Sequence, residues 1–115
     1  MKNKEYRSLI KMIEYINKSL TYTAGMSFQQ FEKDNKTIDA TVFNLSQIGE
    51  LVANISEETR KKYKNIEWRM IKGLRNRIVH DYEGINIKNI WYIILNDIPE
   101  LKKSLQCIVD DNKEE

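Results

Sequence analysis

The stretch LRNRIVHDYEG, Leu74 to Gly84, gathers Arg75, Asn76, Arg77, the chain's single histidine His80, Asp81 and Tyr82 within eight residues. Histidine titrates near neutrality and can move a proton, while arginine offers an anion a fixed fork of donors that lysine cannot reproduce. Asparagine can hold an imidazole tautomer or a phosphate oxygen. These types suit metal-free cleavage of an RNA phosphodiester, in which one group moves the 2′-OH proton and a cation stabilises the charge developing on the phosphate. At roughly 100° per residue on a helix, Asn76 and His80 share a face, and Tyr82 returns almost to the azimuth of Arg75. Each residue also has an ordinary explanation. A histidine near a helix C-terminus meets the dipole. Arg75 and Arg77 could pair with Glu67 or Glu83, and Tyr82 could bury its ring and keep its hydroxyl wet. Physics alone leaves both readings open.

No metal site is credible, because a single histidine without a cysteine or carboxylate cluster at ligand spacing cannot build one. Glycine-rich phosphate loops are absent too, and no cofactor is expected. The net charge of +2 conceals an uneven distribution. Residues 60–77 carry eight basic side chains against one acid, Glu67, whereas the rest of the chain carries eleven basic and sixteen acidic residues. Such a segment, with Tyr63 and Trp68 interleaved, suits an anionic partner whose phosphates meet the cations and whose bases stack on the rings. A solvated lysine-rich helix face is the plainer alternative.

The elements that must position these residues read as helices throughout, with one proline, four glycines and no sustained alternation of apolar and polar residues. A first helix, about Lys4 to Tyr22, carries Leu9, Ile13, Ile16 and Leu20. Ser27 and Gln30 form a capping box, so a short helix starts at Phe28, with Met26 and Phe31 spaced as a hydrophobic staple. A longer helix spans about Lys36 to Ile55, and Ser56 caps a brief basic helix behind it. From Glu67 the stripe Trp68, Ile71, Leu74 and Ile78 makes one helix ending near Tyr82 and Gly84. The last segment, Ile87 to Val109, should kink or restart at Pro99. The polar end DDNKEE reads as a frayed tail. The expected product is an all-α, antiparallel bundle of four to five main helices, with one domain over residues 1–110 and a tail over 111–115.

At 115 residues the chain suits one domain. One cysteine, Cys107, excludes an intrachain disulfide and fits a reducing compartment. The charged N-terminus and a longest apolar run of only Ile90 to Leu95 leave no membrane span, which needs about 20 apolar residues. A cytoplasmic protein is expected.

The stretch LRNRIVHDY resembles the signature of the HEPN superfamily, an Arg followed by a polar residue, with four positions between the Arg and a His. The tyrosine two beyond the His resembles its HepT branch. These residues are Arg75, Asn76, His80 and Tyr82. FNLSQIGELV resembles that branch's other recurrent block through Asn44, Leu45, Ile48, Gly49 and Glu50. NIEWRMIKGLRN and LNDIPELKKSL fit its usual run, so the likeness covers nearly the whole chain. The resemblance implies a HEPN-like helical homodimer with the two motifs facing a shared cleft. It further implies a ribonuclease toxin paired with a minimal nucleotidyltransferase antitoxin, with Tyr82 in the place of the tyrosine that the antitoxin modifies with AMP.

On this reading His80 acts in proton transfer, Arg75 stabilises the charge on the phosphorane-like state, Asn76 orients, and Arg69, Lys72 and Arg77 grip RNA. A homodimer also has a chemical reason, since one copy offers a single histidine and two-fold symmetry supplies a second. Glu50, with apolar neighbours, is expected near the core as a structural partner of an arginine rather than as a catalyst. The rival reading is a non-catalytic subunit that presents a nucleotide or substrate to a separate nucleotidyltransferase through the same basic cleft.

Overall fold

A computed structural model describes residues 1–78 and 86–113, and no strand occurs among them. Helix α1 (Asn3–Thr23) buries Leu9, Met12, Ile13 and Ile16 along one stripe, as the three- and four-residue spacing requires. It ends at a turn in which Gly25 takes φ +75°, a left-handed conformation that costs a glycine no Cβ clash. The capping box then forms: the Gln30 N–H donates to Ser27 Oγ (3.1 Å) and the Ser27 N–H donates to Gln30 Oε1 (2.9 Å), opening α2 (Phe28–Lys33).

Asp34 accepts from the Thr37 N–H (3.0 Å) and starts α3 (Asn35–Leu51). That helix stops short of the expected Ile55. Val52–Asn54 tighten into a 3₁₀ turn, and Ile55 is extended at φ −90°, ψ 123°. Val52 and Ile55 stay buried, so the apolar stripe is kept while the backbone turns away. Helices α1 and α3 run antiparallel. The Ser56 N–H meets Glu5, Asn54 Nδ2 donates to Ser8 Oγ (3.0 Å), and Tyr15 sits edge-on to Phe43 at 6.2 Å, so numbers rise along α1 as they fall along α3.

Ser56 Oγ accepts from the Thr59 N–H (3.2 Å) and caps α4 (Glu57–Lys62), as its position before Glu57 and Glu58 requires. Helices α5 (Trp68–Lys72) and α6 (Leu74–Ile78) follow. The last segment is α7 (Ile87–Tyr92), a π-helical turn over Ile93–Asp97, and α8 (Ile98–Asp111). Pro99 therefore sits in the first turn of α8 rather than inside a kinked helix. Proline cannot donate to the carbonyl four residues back, and its ring crowds that carbonyl. The wider turn absorbs both problems: the Ile98 N–H reaches back five residues to the Ile93 carbonyl. Trp91 on α7 packs against Phe31 with ring centroids 4.9 Å apart, tying α7 to α2.

Fraying at the C-terminus was expected to begin near Asp110, yet Asn112 is buried. Its Nδ2 donates to the Ile108 carbonyl (2.7 Å) and to the Tyr63 hydroxyl (3.4 Å). One core cluster runs from Leu9 to Val109. Among the described residues no helix is long and apolar enough to cross a membrane.

Nothing in the sequence pattern singled out Glu5. It is 6% exposed and accepts from the Ser56 N–H (2.7 Å) and the Thr59 hydroxyl (2.8 Å), joining the start of α1 to the cap of α4. Burial pushes its carboxyl up, but hydrogen bonds from Ser56, Thr59 and the Lys2 backbone outweigh that and hold it below the ordinary glutamate value. A depressed folded pKa contributes stability above the unfolded value of about 4.3, and this is lost as pH falls through the lower folded value. Glu5→Gln should therefore lower unfolding free energy at pH 7 by about 1–3 kcal/mol. Thermal midpoints of parent and variant should converge as pH falls through the lowered folded value of Glu5; a gap that stays constant down to acid pH would contradict the role given to the charged form.

Candidate functional site

The motif-bearing segment buries the expected stripe, with Trp68, Ile71, Leu74 and Ile78 all in the core. It is two short helices rather than one. Gly73, at φ −88° and ψ 9°, interrupts the helical geometry between them. The Gly73 N–H still reaches the Arg69 carbonyl (3.1 Å), and the Arg77 N–H reaches the Gly73 carbonyl (3.0 Å). The break thus falls at the residue of lowest helix propensity, about 1 kcal/mol poorer than alanine, without losing register.

Opposite the stripe, Arg69, Lys72, Arg75 and Asn76 are exposed. Arg69, Lys72 and Asn76, at three- and seven-residue spacing, share one face. Arg75 and Asn76 make no side-chain hydrogen bond or ion pair among the described residues. Arg77, also expected as an RNA contact, is tied to a neighbouring element. It is half-buried, its Nη2 donates to Asp97 Oδ2 (3.1 Å), and its carbonyl accepts from Asn89 Nδ2 (2.6 Å). The acid that meets it is twenty residues away in sequence, on the π-helical turn. Asn86 completes this join by capping α7 through the Asn89 N–H (3.0 Å) and donating its own N–H to the Ile78 carbonyl (3.1 Å). The end of α6 is therefore tied to α7 and the turn behind it. His80, Asp81, Tyr82 and Glu83, and with them the Asn76–His80 and Arg75–Tyr82 pairings and the helix end near Gly84, lie outside the described residues.

Two expectations about neighbouring residues need correction. Glu50 is exposed rather than near the core. Ile48 and Gly49 face inward, and one further step of about 100° turns Glu50 off that face despite its apolar neighbours. The ring of Trp68 is not a stacking platform. Trp68 is buried with its Nε1 donating to the Tyr63 carbonyl (3.1 Å), and half-buried Tyr63 directs its hydroxyl to Asp111 (3.3 Å). Asn44, in the block that includes Gly49, is buried with its Nδ2 lacking a partner among the described residues. Among the described residues no group of three or more His, Cys, Asp or Glu could hold a metal ion.

Gly49 sets the position of the segment. A Cβ there would come within 2.9 Å of the Ile71 carbonyl oxygen and 3.2 Å of that of Lys72, so the backbone of α5 lies directly against α3. Neither oxygen belongs to a flexible side chain that could move aside. Gly49→Ala should therefore cost about 1–3 kcal/mol of stability, as overpacking does, and lower the thermal midpoint by roughly 4 °C or more per kcal/mol. Thermal unfolding of the variant checks this; an unchanged or raised midpoint would show that the contact gives way freely.

Comparison with known proteins bears on the same segment. The model of the family described as ribonuclease HepT-like matches residues 12–108. A protein of Caldanaerobacter subterraneus named "Putative RNase" is 40% identical over 89 residues, covering 77% of this chain and 80% of its own. One of that name from Methanocaldococcus jannaschii is 35% identical over 112 residues, covering 96% and 93%. A "Probable ribonuclease HepT" of Thermococcus cleftensis is 31% identical over 101 residues, covering 87% and 89%. No solved structure matches the chain. The likeness extends over nearly all of the sequence and takes in both the exposed basic face and the core stripe behind it: the chain belongs to the HepT-like ribonucleases of the HEPN superfamily.

Proposed function

We propose that the chain is a metal-independent endoribonuclease, the toxin of a toxin–antitoxin pair acting in the cytoplasm. The observation that carries this reading is the exposure of Arg75 and Asn76, polar side chains with no partner in the described fold, within a segment that matches a ribonuclease family. Arg75 stabilises the charge that develops on the phosphate, His80 moves the 2′-hydroxyl proton, and Asn76 orients the reacting groups. Arg69 and Lys72 hold the RNA backbone on the same face. Arg77, paired with Asp97, serves mainly to fix α6. The active species is a homodimer, because one chain carries one histidine and a second copy supplies the second proton-transfer group. The continuous core from Leu9 to Val109 supports reading residues 1–110 as one domain.

His80→Ala should lower the cleavage rate about 10²- to 10⁴-fold with folding intact, the range of a general acid–base group. Arg75→Lys should also lose most activity, since a point charge does not reproduce the guanidinium fork. Gel assays of single-turnover cleavage check both; a His80→Ala variant as fast as the parent would end the catalytic assignment.

Control is assigned to Tyr82. A phenol with an ordinary pKa of about 10 is poorly suited to proton transfer at neutral pH. AMP attached to its oxygen by a minimal nucleotidyltransferase antitoxin would bring a negatively charged phosphodiester and a nucleoside to the motif. It would compete with RNA for Arg75 by charge and by bulk. Tyr82→Phe should cleave RNA like the parent yet resist neutralisation by antitoxin and ATP. Mass spectrometry of the treated parent should find the adenylyl group on Tyr82, and an adduct elsewhere with the Phe variant still neutralised would count against the assignment.

A further inference from the structure

A shallow groove between α4 and α5 is lined by Glu57, Arg60, Lys61, Lys64, Trp68 and Arg69. Glu57 is its one acid, and Lys61 engages it at 3.2 Å. Arg60, Lys64 and Arg69 form no ion pair among the described residues. The half-buried Arg60 keeps its Nε–H buried without an acceptor among the described residues. Bringing three unpaired cations to one groove costs mutual repulsion that an anion would relieve. The buried ring of Trp68, fixed through the Tyr63 carbonyl, gives the groove an apolar wall but no face on which a base could stack. Arg69 leads out of the groove along the exposed face of Lys72 and Asn76, about 10 Å of helix at 1.5 Å per residue.

We infer that this groove is a phosphodiester subsite: through Arg60, Lys64 and Arg69 it takes a backbone phosphate of the RNA strand away from the bond being cut. The inference rests on the ribonuclease reading and extends it to two residues, Arg60 and Lys64, that take no part in the chemistry. Its contacts are cationic and directed at the backbone, so they add affinity without preference for base sequence.

The test is equilibrium binding of a labelled single-stranded DNA oligonucleotide, which presents the same phosphodiesters but no 2′-hydroxyl, across a salt series from about 0.05 to 0.3 M. One lost phosphate contact on a single strand should flatten the log–log salt dependence by about 0.7, which near 0.1 M salt corresponds to about fivefold weaker binding. Lys64→Gln and Arg60→Gln should each show that loss, whereas Lys11→Gln, on α1, should not. On RNA the two variants should raise KM and leave kcat unchanged. Lys64 is exposed, so Lys64→Gln decides the matter if Arg60→Gln fails to fold. Parental affinity and salt slope in Lys64→Gln would overturn the subsite while leaving the ribonuclease reading intact. So would failure of the parent to bind the oligonucleotide, or displacement by poly-glutamate as effective as by the oligonucleotide, which would mark the groove as a seat for an acidic protein. Oligonucleotide binding that weakens as expected in a parent that never cleaves RNA would keep the subsite and discard the ribonuclease reading.

Discussion

Helix α3 lies so close to the end of α5 that only a glycine fits between them: a methyl group at residue 49 would sit 2.9 Å from a backbone oxygen. Main-chain contact of this kind leaves little freedom of register, because neither partner is a side chain that can change rotamer. It fixes Ile71 and Lys72, and through the continuous hydrogen bonds across Gly73 it fixes α6 as well. The other end of α6 is held from a different direction, by Asn89 on the Arg77 carbonyl and Asp97 on the Arg77 guanidinium. The ten residues from Arg69 to Ile78, which carry four cations, are thus clamped at both ends by neutral or acidic groups from α3, α7 and the π-helical turn. With its backbone held, the segment can present Arg75 and Asn76 to solvent without needing those side chains for its own stability.

The division of labour along this segment follows from charge and burial. Burying a guanidinium without a partner is costly, and the fold spends an acid on one arginine of the motif, Arg77. Arg69, Lys72 and Arg75 stay at the surface, where water screens them and a phosphate can reach them. The acidic residues that offset the chain's overall charge lie elsewhere in the sequence. This asymmetry gives long-range attraction for a polyanion.

Features written into short stretches were legible in the sequence. Ser27 with Gln30 and Ser56 ahead of two glutamates specify helix starts through local hydrogen bonds, and both form as read. The stripe Trp68, Ile71, Leu74 and Ile78 names its own buried face. What escaped depended on distant partners. Arg77 meets an acid twenty residues on, delivered by a π-helical turn whose register answers to Pro99, and Glu5 binds the cap of a helix some fifty residues later. Glu50 misled because apolar neighbours in sequence say nothing about azimuth. The motif's resemblance to a known family was plain in the sequence, but which of its arginines the fold would pair with an acid was not.

In the proposed reaction RNA is cut through its own 2′-hydroxyl, with arginine and histidine in place of a metal. The most direct measurement incubates the purified chain, in excess chelator, with an RNA and with the same RNA carrying 2′-deoxy sugars at the cleaved positions. The RNA should be cut to fragments ending in 2′,3′-cyclic phosphate, and the substituted strand should resist at those positions. No cleavage in chelator with activity restored by a divalent metal, or equal cutting at the deoxy positions, would contradict it.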